Sequence, residues 1–248
     1  EDPDQKARKN LLLRVVVNKH TAFVGEPIEA TVELLSRMKC DTRILKSPSF
    51  NGFSVIDLPV ENQGIPTLRK VDGKEYNGYA LRHVQLYPLQ AGAFSIGSGE
   101  AENTVQFVKE AYAQNMGGDI NAWLEDMPAQ LLDPNAVVTR RVNIQNESVN
   151  ITVQSLPEAG KPIGFDGAVG EFKLTAQLAR PSFAANENGE LLLSVEGAGN
   201  LPMINAPAIA WPAGIDAFDP TVQDNADKTI IPVTGSRLFR YSFTAKEG

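Results

Sequence analysis

The sequence predicts an all-β protein assembled from two tandem copies of one sheet-built domain. Three observations predict it. Apolar residues recur with period two along many short segments, clusters of Gly, Pro, Asn and Asp separate those segments, and the same order of segments occurs twice. Period two gives a strand one buried and one wet face, because successive side chains of a pleated chain point to opposite sides. Short strands with regular turn signals read as a β-sandwich or a barrel. Helical periodicity is nearly absent, which disfavours alternating strand–helix architecture.

The first strand is Leu11 to Val17, an apolar run interrupted by Arg14. In Pro27 to Leu35, Ile28, Ala30, Val32 and Leu34 alternate with Glu29, Thr31 and Glu33. Asn51 to Asp57 and the aromatic-bearing stretch Tyr79 to Pro88 follow, and Ala93 to Ile96 reads as a returning hairpin strand after Gly92. Lys109 to Ala136 departs from the pattern. Asp119 can cap a helix there, Ile120, Trp123, Leu124 and Met127 share one face of it, and Pro128 ends it. A partly helical insertion over about 109–136 is expected, with Trp123 either pinning it to the sandwich or offered to a partner. Val149 to Val153, Phe172 to Leu178 and Leu191 to Val195 alternate again.

The second half answers the first. Phe172 to Leu178 matches Leu11 to Val17, Gly189-Glu190 matches Gly25-Glu26, and Ala213 to Asp219 matches Asn51 to Asp57. Leu238 to Ala245 matches Tyr79 to Pro88, with Gly248 in the place of Gly92. A period near 160 residues is too long for a solenoid and fits tandem domains. We expect a first domain over 1–160 and a second over 161–248, joined by the proline-bearing stretch Leu156 to Pro162. The second copy stops where the first continues into Ala93 to Ile96. It is therefore expected to be C-terminally incomplete, leaving Leu238 to Ala245 as an unpaired sheet edge.

Composition narrows the function. The 248 residues carry a net charge of −7, which opposes binding to nucleic-acid phosphates. One cysteine excludes an intrachain disulfide and a thiolate zinc cluster, and two histidines exclude a His-rich metal site. No apolar run reaches the roughly 20 residues that cross a bilayer, and no charged start leads into an apolar signal region. A chain opening Glu1-Asp2-Pro3-Asp4 reads as processed or trimmed.

The segment LPEAGKPIGFDGAVGEFKLTAQL, Leu156 to Leu178, resembles the hallmark of the BatD family, the oxygen-tolerance (aerotolerance) proteins. So do Val24-Gly25-Glu26-Pro27, the pattern Leu86, Pro88, Gly92, and Gly199-Asn200-Leu201 with its proline loop. The likeness covers most of the chain, is strongest from Leu156 to Pro220, and rests on order and spacing. It implies tandem immunoglobulin-like β-sandwich domains in an exported protein. It further implies a C-terminal membrane anchor beyond this chain and a periplasmic site at the inner membrane. Partners of the von Willebrand factor A type and of the tetratricopeptide-repeat type are implied too. The family offers no catalytic motif to carry over, and no cofactor is expected.

The residues agree with a non-enzymatic reading. His20 and His83 lie on different elements, and no nucleophile elbow or zinc-protease motif occurs. Cys40 follows Arg37 and Lys39, which could activate a thiol, yet no resolving cysteine exists. Asp219, Asp224 and Asp227 crowd DPTVQDNADK without calcium-loop spacing, so a solvated loop is expected. Asn146 and Asn150 open formal glycosylation sequons, and Gly117-Gly118 lacks the Lys and Ser/Thr of a phosphate loop. Asp57 and Asp219, at matched places in the two copies, are candidate partner-binding acids, because a von Willebrand-type domain often completes its metal coordination with a ligand carboxylate. The expectation is a protein-interaction scaffold. The alternative is a carbohydrate- or surface-binding adhesin, for which the aromatics at hand are Trp123 and Trp211.

Overall fold

The computed structural model describes residues 2–61, 63–109 and 135–246. Strands make up 57% and helix 5%, and the architecture is an all-β sandwich, as period two predicted. A short helix, α1 (Pro3–Asn10), runs directly into β1 (Leu11–Val17). The first half continues with β2 (Thr21–Phe23), β3 (Ile28–Ser36), β4 (Cys40–Lys46), β5 (Phe53–Leu58), β6 (Thr67–Val71) and β7 (Lys74–Pro88). It ends with β8 (Gly92–Ile96), β9 (Glu100–Val108), β10 (Val137–Gln145) and β11 (Val149–Gln154). After the strand-free stretch 155–169 come β12 (Gly170–Leu178), β13 (Asn188–Gly199), β14 (Ile215–Ala217), β15 (Thr221–Asp227) and β16 (Thr234–Ala245).

The helix was not expected. Its signals are local: a proline in the first turn, Asp4 beside it, and Arg8 and Lys9 in the last turn. Eight residues are too few for a periodicity to register, and only Ala7 is buried.

One layer of the first half is the antiparallel sheet β1-β3-β7-β5, with β6 folding back on β7. Two smaller sheets, β10-β9-β4 and β2-β11-β8, form the opposing layer, and β2 runs parallel to β11. Leu13, Val15, Val32 and Val84 from the large sheet meet Val105, Val142, Ile144 and Ile151 from the others in one apolar core. Burial of such side chains, each contributing about 1.5–3 kcal/mol, drives the closure.

The second half repeats the large sheet. Its order is β12-β13-β16-β14 with β15 on β16, the same order by chain position as β1-β3-β7-β5 with β6 on β7. The register repeats as well: Asn18 N–H donates to Glu29 O at 3.1 Å just past β1, and Ala179 N–H to Glu190 O at 3.0 Å just past β12, so Phe172 to Leu178 stands where Leu11 to Val17 does. Where the first half places β4, the second places a strap over 200–212. It opens with a 3-10 turn at Leu201–Met203 and lays Ile204, Ala206, Ile209 and Trp211 on Leu193, Val195, Phe239 and Tyr241.

Three expectations are corrected. Leu238 to Ala245 is not a sheet edge: β16 is central and pairs with β13, β14 and β15. Position at the end of the sequence does not imply position at the edge of the sheet, and β7 is central in the same way. Ala93 to Ile96 does not return on β7; β8 crosses to the other layer and pairs with β11. Most of DPTVQDNADK is strand rather than loop, since β15 pairs along β16 through its backbone despite carrying almost no apolar alternation. The insertion's body, including Trp123 and the expected helix, lies outside the described residues. Its ends are held together, with Lys109 N–H donating to Ala136 O at 2.8 Å beside the pair Val108–Val137.

The halves are joined by buried polar contacts. Tyr87, fully buried on β7, donates its hydroxyl hydrogen to Gly199 O at 3.1 Å and accepts from Gln85 Nε2. Gln85, also fully buried, accepts from Val233 N–H at 3.0 Å. Burial pushes the Tyr87 phenol up to about 12, so it stays a donor at any ordinary pH. Gly25, at φ +76°, sits so close that an added Cβ would lie 2.8 Å from Asn200 Nδ2 and 3.2 Å from Val169. Asn200 in turn accepts from Val169 N–H and donates to Gly167 O, both at 2.7 Å.

Candidate interaction site

The candidate acids part company in the structure. Asp57 lies in β5, and its Oδ1 accepts from Arg82 Nε at 2.8 Å. That hydrogen bond outweighs the opposing effect of burial and, with lesser help from the charges of Arg82 and Lys228, holds its carboxyl below the usual range. Its anion is therefore already partnered. Asp219 follows β14 and precedes Pro220, and its side chain forms no hydrogen bond or ion pair with the described residues. The two acids stand four residues past equivalent anchors, Phe53 and Ile215, but Asp57 lies within β5 whereas Asp219 lies two residues beyond the end of β14.

Asp219 lines a cleft of about 300 Å³. The strap supplies one wall with Pro207, Ile209 and Trp211; Ala217, Phe218 and Pro220 supply the other. Tyr241 lies at the base and donates to Pro207 O at 2.5 Å, which pins the strap to β16. Trp211 is held in place by Tyr241 and Phe243, with ring centroids 6.3 and 5.3 Å away. Phe218, also in the lining, stands 61% exposed. A free carboxylate beside aromatic faces can take an arginine or lysine side chain, a metal vertex presented by another protein, or a sugar ring. Phe218, Tyr241 and the strap were not singled out in the sequence, although the spacing of aromatics through WPAGIDAFDP carries the signal.

The remaining candidates are structural. His83 bridges Glu29 Oε1 at 2.8 Å and Pro59 O at 3.3 Å, and His20 meets Asn150 O at 3.1 Å. Cys40 packs beside the first core, with Ser36 and Thr42 hydroxyls each 3.6 Å from its sulfur. Asp224 pairs with Arg237 at 3.1 Å, and Asp227 accepts from the Thr229 backbone and hydroxyl. Asn146 is buried, accepting from Gly99 N–H at 2.6 Å. Among the described residues no group of three or more His, Cys, Asp or Glu could hold a metal ion, and no helix is long and apolar enough to cross a membrane.

The motifs behind the family resemblance converge on the joint between the halves. Gly25 N–H donates to Pro88 O at 2.8 Å, Gly25 faces Val169 and Asn200, and Gly199 accepts from Tyr87. Their spacing is thus explained by how two sheets are fastened together, not by a pocket. No family model matches the chain, and no curated protein matches it.

Proposed function

We propose that this chain is a non-enzymatic protein-interaction scaffold of immunoglobulin-like domains, serving a membrane-associated envelope complex linked to oxygen or stress tolerance as its resemblance to BatD implies. The observation that carries the interaction reading is the Asp219 cleft. It holds the Asp219 carboxylate, without a hydrogen bond or ion pair among the described residues, in a lining shared with Trp211 and Phe218. A von Willebrand factor A-type partner would use that carboxylate to complete the coordination of its own metal ion, with the aromatic walls shielding the contact from water. Tetratricopeptide-repeat partners and an inner-membrane anchor belong to the same reading.

The test is binding to a von Willebrand factor A-type domain loaded with Mg²⁺. Asp219→Ala is expected to weaken binding at least about tenfold, equivalent to roughly 1.4 kcal/mol. Asp57→Ala is expected to leave it within about twofold, because Arg82 already occupies that carboxylate. Equal affinity of wild type and Asp219→Ala removes the cleft from the interface. A carbohydrate-binding adhesin is the second reading, favoured by the exposed Phe218 face beside Asp219. Glycan-array binding that falls with Phe218→Ala would select it over the scaffold.

A further inference from the structure

We infer that a polar lock at the joint, built from Gln85 and Tyr87 of β7 and the backbone of Gly199 and Val233, sets the angle between the two large sheets, and that the chain linking the halves does not. This is independent of the Asp219 cleft. β7 alternates at this end, with Val84 and Leu86 turned into the first core and Gln85 and Tyr87 turned to the opposite face. Gln85, Tyr87 and Val233 are each 0% exposed, yet none of the three belongs to either apolar core. They are buried where the halves meet, since the partners of the two β7 side chains, Gly199 O and Val233 N–H, belong to the second half.

Such a joint tolerates one angle. Gln85 Oε1 accepts from Val233 N–H at 3.0 Å, its Nε2 donates to the Tyr87 hydroxyl, and that hydroxyl donates to Gly199 O at 3.1 Å. The two ends of the Gln85 amide are therefore assigned by their partners, and each link holds the next. An apolar joint slides at small cost, because burial is not directional. A small rotation here leaves a buried amide, hydroxyl and carbonyl unpaired together, and each is costly to leave unmade. The linker offers no comparable constraint. Gly160, Gly164 and Gly167 have open space where a Cβ would stand. The hydrogen bonds and ion pairs of residues 157–166 stay within the segment, as between Lys161 and Glu158, or reach Asn205 of the strap through Asp166 at 2.9 Å. Among the described residues none of them reaches the first half. The linker thus travels with the second half, and the lock makes the two sheets one rigid unit that presents both halves to a partner at a single angle.

Double electron–electron resonance on the intact chain tests this. Spin labels go on Lys70→Cys and Gln177→Cys, exposed positions in different halves, after Cys40→Ser removes the one native thiol. A single narrow distance distribution is expected. Lengthening the linker by about ten Gly and Ser residues after Gly160 is expected to leave its mean and width unchanged, because a flexible insert adds reach and no constraint. Gln85→Leu is similar in size, deletes both hydrogen bonds of the amide, and is expected to widen the distribution at least about twofold, as relative motion is the default for domains without a large apolar interface. Tyr87→Phe is expected to widen it less, since it keeps the Gln85–Val233 contact. Circular dichroism checks that each variant keeps its strands. A broad wild-type distribution overturns the proposal, as does a narrow one that survives Gln85→Leu combined with Tyr87→Phe. A mean distance that shifts when the linker is lengthened assigns the angle to the linker and overturns it equally. The lengthened chain alters no residue of the joint, so that measurement decides the matter even where Gln85→Leu fails to fold.

Discussion

Strands β1 and β12 hold the same place in two sheets of the same topology, and water treats them differently. In β1, Leu11, Leu13 and Val15 are buried, whereas in β12 every residue but Phe172 is exposed. Both sequences alternate, so both specify which side chains share a face. Alternation does not say whether another layer arrives to cover that face. In the first half β9, β10 and α1 supply the cover; in the second the strap covers β13 and β16 and leaves β12 open. Among the described residues, the same strand order is thus covered over β1 in one half and open over β12 in the other.

The sharpest way to break this comparison is to cut the same kind of side chain from both strands. Leu13 is 3% exposed, and Leu13→Ala leaves a cavity inside the sandwich. It is expected to lower unfolding free energy by about 2–5 kcal/mol in urea denaturation. Leu174→Ala removes the same atoms from an exposed position and is expected to cost about 0.5 kcal/mol or less. Equal costs would mean that β12 is covered in solution and that the contrast is false.

The outer faces repeat the lesson with charge. Arg14 pairs across strands with Glu33, and Lys173 with Glu196. Only Glu33 is buried, at 4% exposure, because β6 brings Arg69 over it and both arginines reach its carboxylate at 2.8 Å. Glu33→Gln is expected to cost about 1–3 kcal/mol, discounted from a fully buried pair because Arg14 and Arg69 remain partly in water. Glu196→Gln is expected to fall within about 0.5 kcal/mol, as surface changes do. Thermal denaturation of the two variants measures the difference directly.

The joint decides whether the halves behave as one body. Tyr87→Phe removes the hydroxyl that satisfies Gly199 O and Gln85, and is expected to cost about 1–2 kcal/mol. Its more telling readout is cooperativity: a single unfolding transition should separate into two, the open second half melting first. A variant that still melts in one step would show that the apolar contacts at the joint suffice.

How much of this was legible in the sequence follows from the same physics. Strands with one wet face announced themselves, as at Ile28 to Leu34, because burial on one side writes an alternation into the residues. Strand β15 did not, since its partner β16 holds it by backbone pairing and neither of its faces needs to be apolar. Whether a strand is central, as β16 is, or at an edge is invisible in its own residues. Asp57 and Asp219 looked alike as letters. Only the position of Arg82, brought opposite by the β5–β7 pairing, separates the occupied acid from the free one. Trp211 and Phe218 are legible together in one local stretch, but Tyr241 comes from β16 and joins them only through the β14–β16 pairing.

The smallest expected effect concerns that occupied acid and runs with pH. Asp57 has a depressed carboxyl pKa in the folded chain, chiefly because it accepts a hydrogen bond from Arg82 and also because Arg82 and Lys228 are cationic. A depressed acid contributes stability that is fully present above its unfolded value, about 3.9, and is lost as pH falls through the lower folded value. The advantage of wild type over Asp57→Asn in urea midpoint should therefore be constant from pH 7 to about 5 and shrink below about 4. The side chain is 67% exposed, so solvent and salt screen the pair and the whole effect should fade at high ionic strength. Lys228 lies beyond β15 in the second half, so the same titration reads whether that hairpin stays near β5 in solution. Lys228→Gln should reduce the advantage slightly if it does, and leave it untouched if the two halves have swung apart.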